Sequence, residues 1–187
     1  MRATILAIVA PAISCMGCAT NRSASAPPSG VCSYAPPADI SQSYDRFRDR
    51  TVVELDRLGF GPPIPVAAGI CYYLTNLVIR AEFTGSSTAG SPAISWTLIT
   101  LQSPGAGAPD FIVLLNGTTR IRLDVVGHEV RGELPRTAHH ISAALSPAIL
   151  SAVADASSVE IAVGAVEVRM TRKQIAIVRE FAKRLTF

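Results

Sequence analysis

The chain has 187 residues, 49% of them hydrophobic and 17% charged, enough apolar material for one folded domain and too much for a disordered chain. Seventeen Lys and Arg stand against 14 Asp and Glu, a net charge of +3 that is too small to point to nucleic acid. At the start, Met1 and Arg2 precede an apolar run from Ile5 to Ala10, then Pro11, Ala12, Ile13 and the small residues Ser14 and Gly17. One positive charge, a short apolar core and small residues before a cut point make residues 1–17 an export signal. The run is too short to span a bilayer, and Pro11 interrupts it.

The stretch Ser14-Cys15-Met16-Gly17-Cys18-Ala19-Thr20 resembles the lipobox of bacterial lipoprotein precursors, in which a small residue precedes the cysteine that receives the lipid. Read to Cys18, Gly17 precedes the cut and Ala19 follows it, with Cys15 where an aliphatic residue is usual. Read to Cys15, Ile13 and Ser14 precede the cut, with Ala12 at the aliphatic position. Cysteine parity favours Cys18, with Cys15 as the alternative: Cys15 then leaves with the leader, and Cys32 and Cys71 remain as an even pair in an oxidising compartment. A Cys32–Cys71 disulfide would close a loop of about 39 residues, worth roughly 4 kcal/mol of chain entropy. Neither register has Asp as the second mature residue, which by the same resemblance implies an outer-membrane address facing the periplasm.

Residues 18–40 are rich in Ser, Ala and Pro, including Pro27-Pro28 and Pro36-Pro37, and read as a flexible tether. The folded domain is expected over 41–187. Tyr44 and Phe47 lead into a first strand at Thr51 to Leu55, and Gly59 to Pro65 is expected to forbid regular pairing. Leu77 to Phe83 is the next strand, and Gly85 to Ser91 a loop. Ala93 to Leu101 places Ile94, Trp96, Leu98 and Thr100 on one face. Phe111 to Leu115 and Thr119 to Val125 flank Asn116-Gly117, the standard sequence for a tight hairpin because both central residues need positive φ. Asn116-Gly117-Thr118 also matches a glycosylation acceptor, which has little weight in a bacterial lipoprotein. Gly127 to Pro135 reads as a loop and Ala138 to Leu145 as a strand.

The last third carries the clearest local signals. Ser146-Pro147 reads as an N-cap and first-turn proline for a helix with Ile149, Leu150 and Val153 on its apolar face. Val159, Ile161 and Val163, then Gly164, then Val166, Val168 and Met170 describe a two-stranded ribbon. Thr171 and Gln174 form a capping box that opens a helix with Ile175, Val178, Phe181, Ala182 and Leu185 at helical spacing. Together these elements predict an α+β domain: an antiparallel sheet of about seven or eight strands, curled as a half-barrel or stacked as a sandwich, with a short helix and a C-terminal amphipathic helix.

Catalytic signatures are sparse. His128, His139 and His140, with Glu129 or Glu133, lack metal-ligand spacing, and adjacent His139 and His140 would point to opposite faces of a strand. No nucleophile motif appears, and Gly105-Ala106-Gly107 lacks the lysine of a phosphate cradle. No cofactor or metal is implied. The charged face of the last helix, Arg172, Lys173, Arg179, Lys183 and Arg184, is the candidate patch for an anionic partner. The sequence therefore favours a non-enzymatic, lipid-anchored envelope protein that binds an envelope protein or an anionic cell-wall component, or assists assembly. Two other readings are a carrier of a small apolar ligand in a curled sheet lined by Trp96, Phe83 and Phe111, and an envelope enzyme of unrecognised type.

Overall fold

The computed structural model describes residues 38–67, 70–132 and 137–185. Cys15, Cys18, Cys32, the leader, most of the tether and Glu133 lie outside these residues, as does the side chain of Cys71. Among the described residues there are twelve strands, all paired antiparallel, and two helices. The domain is thus a mostly antiparallel α+β fold.

A six-stranded sheet runs in the order β1 (Asp39–Asp45), β2 (Arg50–Phe60), β5 (Thr75–Thr84), β6 (Ala93–Thr100), β10 (Ala138–Leu145), β9 (Val125–Arg131). A four-stranded sheet runs β12 (Val166–Arg169), β11 (Val159–Val163), β7 (Phe111–Leu115), β8 (Thr119–Leu123), and β3 (Ile64–Ala67) pairs with β4 (Ile70–Tyr72). Helix α1 is Pro147–Asp155 and α2 is Arg172–Arg184. Each large strand alternates buried with part-exposed residues, as in β5, where Leu77, Ile79, Ala81 and Phe83 point inward. The inward residues of both sheets and both helices form one buried cluster. Trp96 of the larger sheet and Phe111 of the smaller meet in it with ring centroids 6.4 Å apart.

The local signals of the last third correspond to real caps. Ser146 accepts from the Ile149 N–H and Pro147 opens α1. In α2, Thr171 Oγ1 accepts from Gln174 N–H while Gln174 Oε1 accepts from Thr171 N–H at 2.7 Å. The Gln174 amide also donates to the Gly59 carbonyl at 2.6 Å, which ties the start of α2 to the end of β2. Gly164 sits at φ +57, where a Cβ would lie 2.0 Å from the Pro104 carbonyl oxygen, so the turn of the β11–β12 ribbon needs glycine there.

Four strands exceed the expected seven or eight, and each has a physical reason. Residues 39–45 form a full strand whose side chains are mostly exposed, so β1 lacks the alternation that marks a half-buried strand. Pro65, expected to prevent pairing, faces Cys71 in the β3–β4 ribbon; a proline is tolerated where its missing N–H turns away from the single partner strand. Gly127 to Arg131, expected as loop, belongs to β9, the outer strand of the larger sheet, with Val126 and Val130 exposed. Period 2 is erased there because one edge is open and β9 is bulged against Ser142 and Ala143. A second bulge in β2, with Arg57 at φ 61, inserts one residue between Leu55 and Leu58, so that Leu58 and Phe60 still face inward.

The hairpin turn has Asn116 at φ 53 and Gly117 at φ 71, and Thr118 N–H donates to the Leu115 carbonyl. Asn116 does more than turn the chain: its Oδ1 accepts from Ser157 N–H at 2.8 Å, Ser157 Oγ at 2.9 Å and Ser158 N–H at 3.3 Å, joining the hairpin to the start of β11. Asn116→Ala removes that acceptor and places Ala in the left-handed region, at an expected cost of about 2–3 kcal/mol in urea unfolding. Asn116→Gly, free of the backbone strain, is expected to lose less, and equal losses for the two would assign the whole effect to the three hydrogen bonds.

Candidate functional site

All five cations of the α2 patch are exposed, but they are not equivalent. Arg179 Nε donates to the Ala154 carbonyl at the end of α1, Arg184 donates to the Ile40 carbonyl of β1, and Lys183 pairs with Glu180 at 2.7 Å. These three fasten or neutralise the helix. Arg172 and Lys173, in its first turn, have no such partner among the described residues. Two cations at the positive end of a helix dipole, with no acidic residue in that turn, are electrostatically unfavourable. They leave concentrated positive potential at the start of α2.

That end of α2 borders a groove of about 620 Å³ between β2, Tyr73 and the end of β12. Its charged lining is Arg57, Arg169 and Lys173, with no carboxylate, and Thr171, Gln174 and Ile177 complete the helical wall. Arg57 and Arg169 each hold one exposed acidic neighbour, Asp56 at 2.9 Å and Glu160 at 3.5 Å, and such surface pairs are weak. Sequence reading misses both arginines. Arg57 reaches the groove because of the bulge, and Arg169 because the short β12 ends beside α2. A second groove, of about 680 Å³ on the outer face of the smaller sheet, mixes Arg120 and Arg169 with Glu160 and Glu167 over Ile112 and Leu114 and has no single sign of charge.

The other sequence candidates fall elsewhere. Arg122 of the hairpin pairs with Asp110, and Glu82 is held by Arg50 of the neighbouring strand β2 and by Arg80 of its own strand β5. Trp96, Phe83 and Phe111 are buried in the packed cluster, and the Trp96 indole N–H has no acceptor among the described residues. His139 and His140 do point to opposite faces of β10. His128 lies beside His139, with Nε2 and Nδ1 3.2 Å apart, while His140 stands opposite Glu129. Partial burial pushes the His140 imidazole below its ordinary range, the Arg131 guanidinium acts the same way, and Glu129 opposes both. Hydrogen bonding from Arg131 holds the Glu129 carboxyl low. Among the described residues no three His, Cys, Asp or Glu side chains converge on one point, and no helix is long and apolar enough to cross a membrane.

No family model matches the chain, and comparison with curated proteins and with solved structures gives no significant match.

The division of the cations is testable by stability. Arg179→Ala should cost about 1 kcal/mol by releasing the Ala154 carbonyl, whereas Lys173→Glu should gain about 0.3–1 kcal/mol by placing an anion at the helix start. Thermal unfolding reads both; equal destabilisation would contradict the division. A second expectation concerns acid. With its folded value depressed, His140 is protonated first in the unfolded chain, so its contribution to stability is lost as pH falls through about 6.5 towards the folded value. The drop in melting temperature between about pH 7.5 and about pH 5.5 should therefore be smaller in His140→Gln than in the wild type. An unchanged drop would show that His140 does not carry it. Glu129, also depressed, acts in a lower window, below about pH 4.5.

Proposed function

We propose that this is a lipid-anchored, non-enzymatic envelope protein whose α+β domain binds an anionic envelope component at the groove beside the start of α2. The observation that carries this reading is the groove lining: Arg57, Arg169 and Lys173 with no carboxylate, next to the unpaired Arg172. An acidic cell-wall polymer or the acidic face of an envelope protein would recover the charge–charge energy that these cations forgo in the free protein. The remaining patch residues, Arg179, Lys183 and Arg184, keep a supporting role through the fold.

The architecture is consistent with a rigid platform for such binding. We infer that β8 and β9, separated by Asp124 alone, act as one strand that turns from the smaller sheet into the larger, with the Asp124 carbonyl accepting from Ala144 N–H at 3.0 Å. Ten strands then make one curled sheet from β12 to β1. Helix α2 follows β12 directly and bonds to β1 and β2, so it covers the gap between the two outer edges.

The lipid at Cys18 and the part of the tether that precedes β1 would supply effective concentration, so that a modest groove suffices for occupancy at the envelope. Two measurements test the proposal. Intact-mass analysis of membrane-recovered protein should show an acylated N-terminus at Cys18 and, without reductant, a Cys32–Cys71 bridge; an unlipidated mass with the leader retained overturns the anchored reading. Binding of the purified protein to an envelope fraction should weaken with salt and be lost in the double variant Arg172→Glu, Lys173→Glu; undiminished binding removes the groove from the account.

A further inference from the structure

The geometry points to a divalent transition-metal site made by His128 and His139 at the outer edge of the larger sheet. His128 sits on β9 opposite Ile141, and His139 sits on β10 opposite Val130, so the two are diagonal neighbours on one face of an antiparallel pair. Their side chains close the diagonal: Nε2 of His128 and Nδ1 of His139 are 3.2 Å apart, and the rings lie 30° from parallel. Two imidazole nitrogens bound to one zinc-sized ion at about 2.0–2.1 Å, with angles between octahedral and tetrahedral, stand about 2.9–3.4 Å apart. The observed separation already falls in that interval. Free of metal, one of the two facing nitrogens carries a proton and donates it to the other; when the ion binds, that proton moves through solvent to the outer nitrogen of its own ring, so both facing lone pairs turn to the ion and His128 Nδ1 and His139 Nε2 each carry one proton.

The chemistry of the donors selects the ion. Neutral imidazole suits zinc, nickel and copper rather than magnesium or calcium, which take oxygen ligands. No third His, Cys, Asp or Glu joins the pair among the described residues, so solvent completes the coordination sphere. His128 is exposed and His139 half-buried, which leaves room for that water. His140 projects from the opposite face towards Glu129 and takes no part. One ion held by both rings would staple the open edge strand β9 to β10. Because only the folded chain sets the two nitrogens at this distance, the ion also stabilises the fold.

The test uses the full chain in detergent, with free thiols alkylated so that cysteines do not compete. Zinc and nickel titrations followed by calorimetry should give one site per chain, and the ion should raise the melting temperature. His128→Ala and His139→Ala should each weaken the affinity by about tenfold or more and remove the thermal shift, while His140→Ala binds as the wild type. Nitrogen-15 NMR of the wild type should show zinc moving the His128 Nε2 and His139 Nδ1 resonances and leaving His140 in place. Wild-type affinity in both Ala variants, or equal loss in His140→Ala, overturns the proposal, and the NMR shifts decide it should a variant fold poorly.

Discussion

Neither sheet can shed water from its apolar face alone, and most of the fold follows from that constraint. The inward rows of β2, β5, β6 and β10 are apolar apart from threonines such as Thr51, Thr75 and Thr100 and the half-buried His139, and those of β7 and β11 are fully apolar. Among the described residues these rows and the two helices share a single cluster, in which Trp96 and Phe111 meet. A domain of this size has no second core to fall back on, so the devices that keep side chains facing inward matter more than any one contact. The bulge at Asp56 and Arg57 is one of them. Without the extra residue, Leu58 and Phe60 would turn outward with the pleat. Gln174 is another, since one side chain completes the α2 cap and holds the Gly59 carbonyl at the end of the bulged strand.

What the sequence revealed and what it hid divide along the same line. Where one face is buried and the other wet, the period shows: Ile94, Trp96 and Leu98, or Val159, Ile161 and Val163, could be read directly as inward rows. Caps were legible because Ser146-Pro147 and Thr171 with Gln174 act locally, before any tertiary contact forms. Edge strands were not. In β1 and β9 one side of the backbone is unpaired and the side chains are mostly exposed, so no burial imposes alternation, and in β9 a bulge also shifts the phase. Pro65 misled for a related reason, since a proline excludes a central strand but not an outer one.

The candidate site was legible in its charges and not in its geometry. Five cations on one helix could be counted, but their inequality depends on carbonyls that only the fold delivers: Ala154 to Arg179 and Ile40 to Arg184. Arg57 and Arg169 lie 112 residues apart in the chain and share a groove only because β2 and β12 end on either side of α2. The proximity of His128 to His139 was hidden by reading β9 as loop.

The position of Ala38 joins the two halves of the functional reading. It lines the same groove as Arg57 and Lys173, so on the proposed reading the tether would enter the fold at the rim of the cationic surface. On the anchored reading, a lipid at Cys18 is separated from that rim by about 20 residues, a flexible span of roughly 25 Å r.m.s.. Such a span confines the groove to a thin shell next to the membrane. Within that shell an anionic partner does not have to be captured from dilute solution, and a few unpaired cations on a rigid helix end are enough to hold it. On the anchored reading, the cations at the start of α2, left unpaired in an unfavourable helix position, fit a surface that relies on proximity.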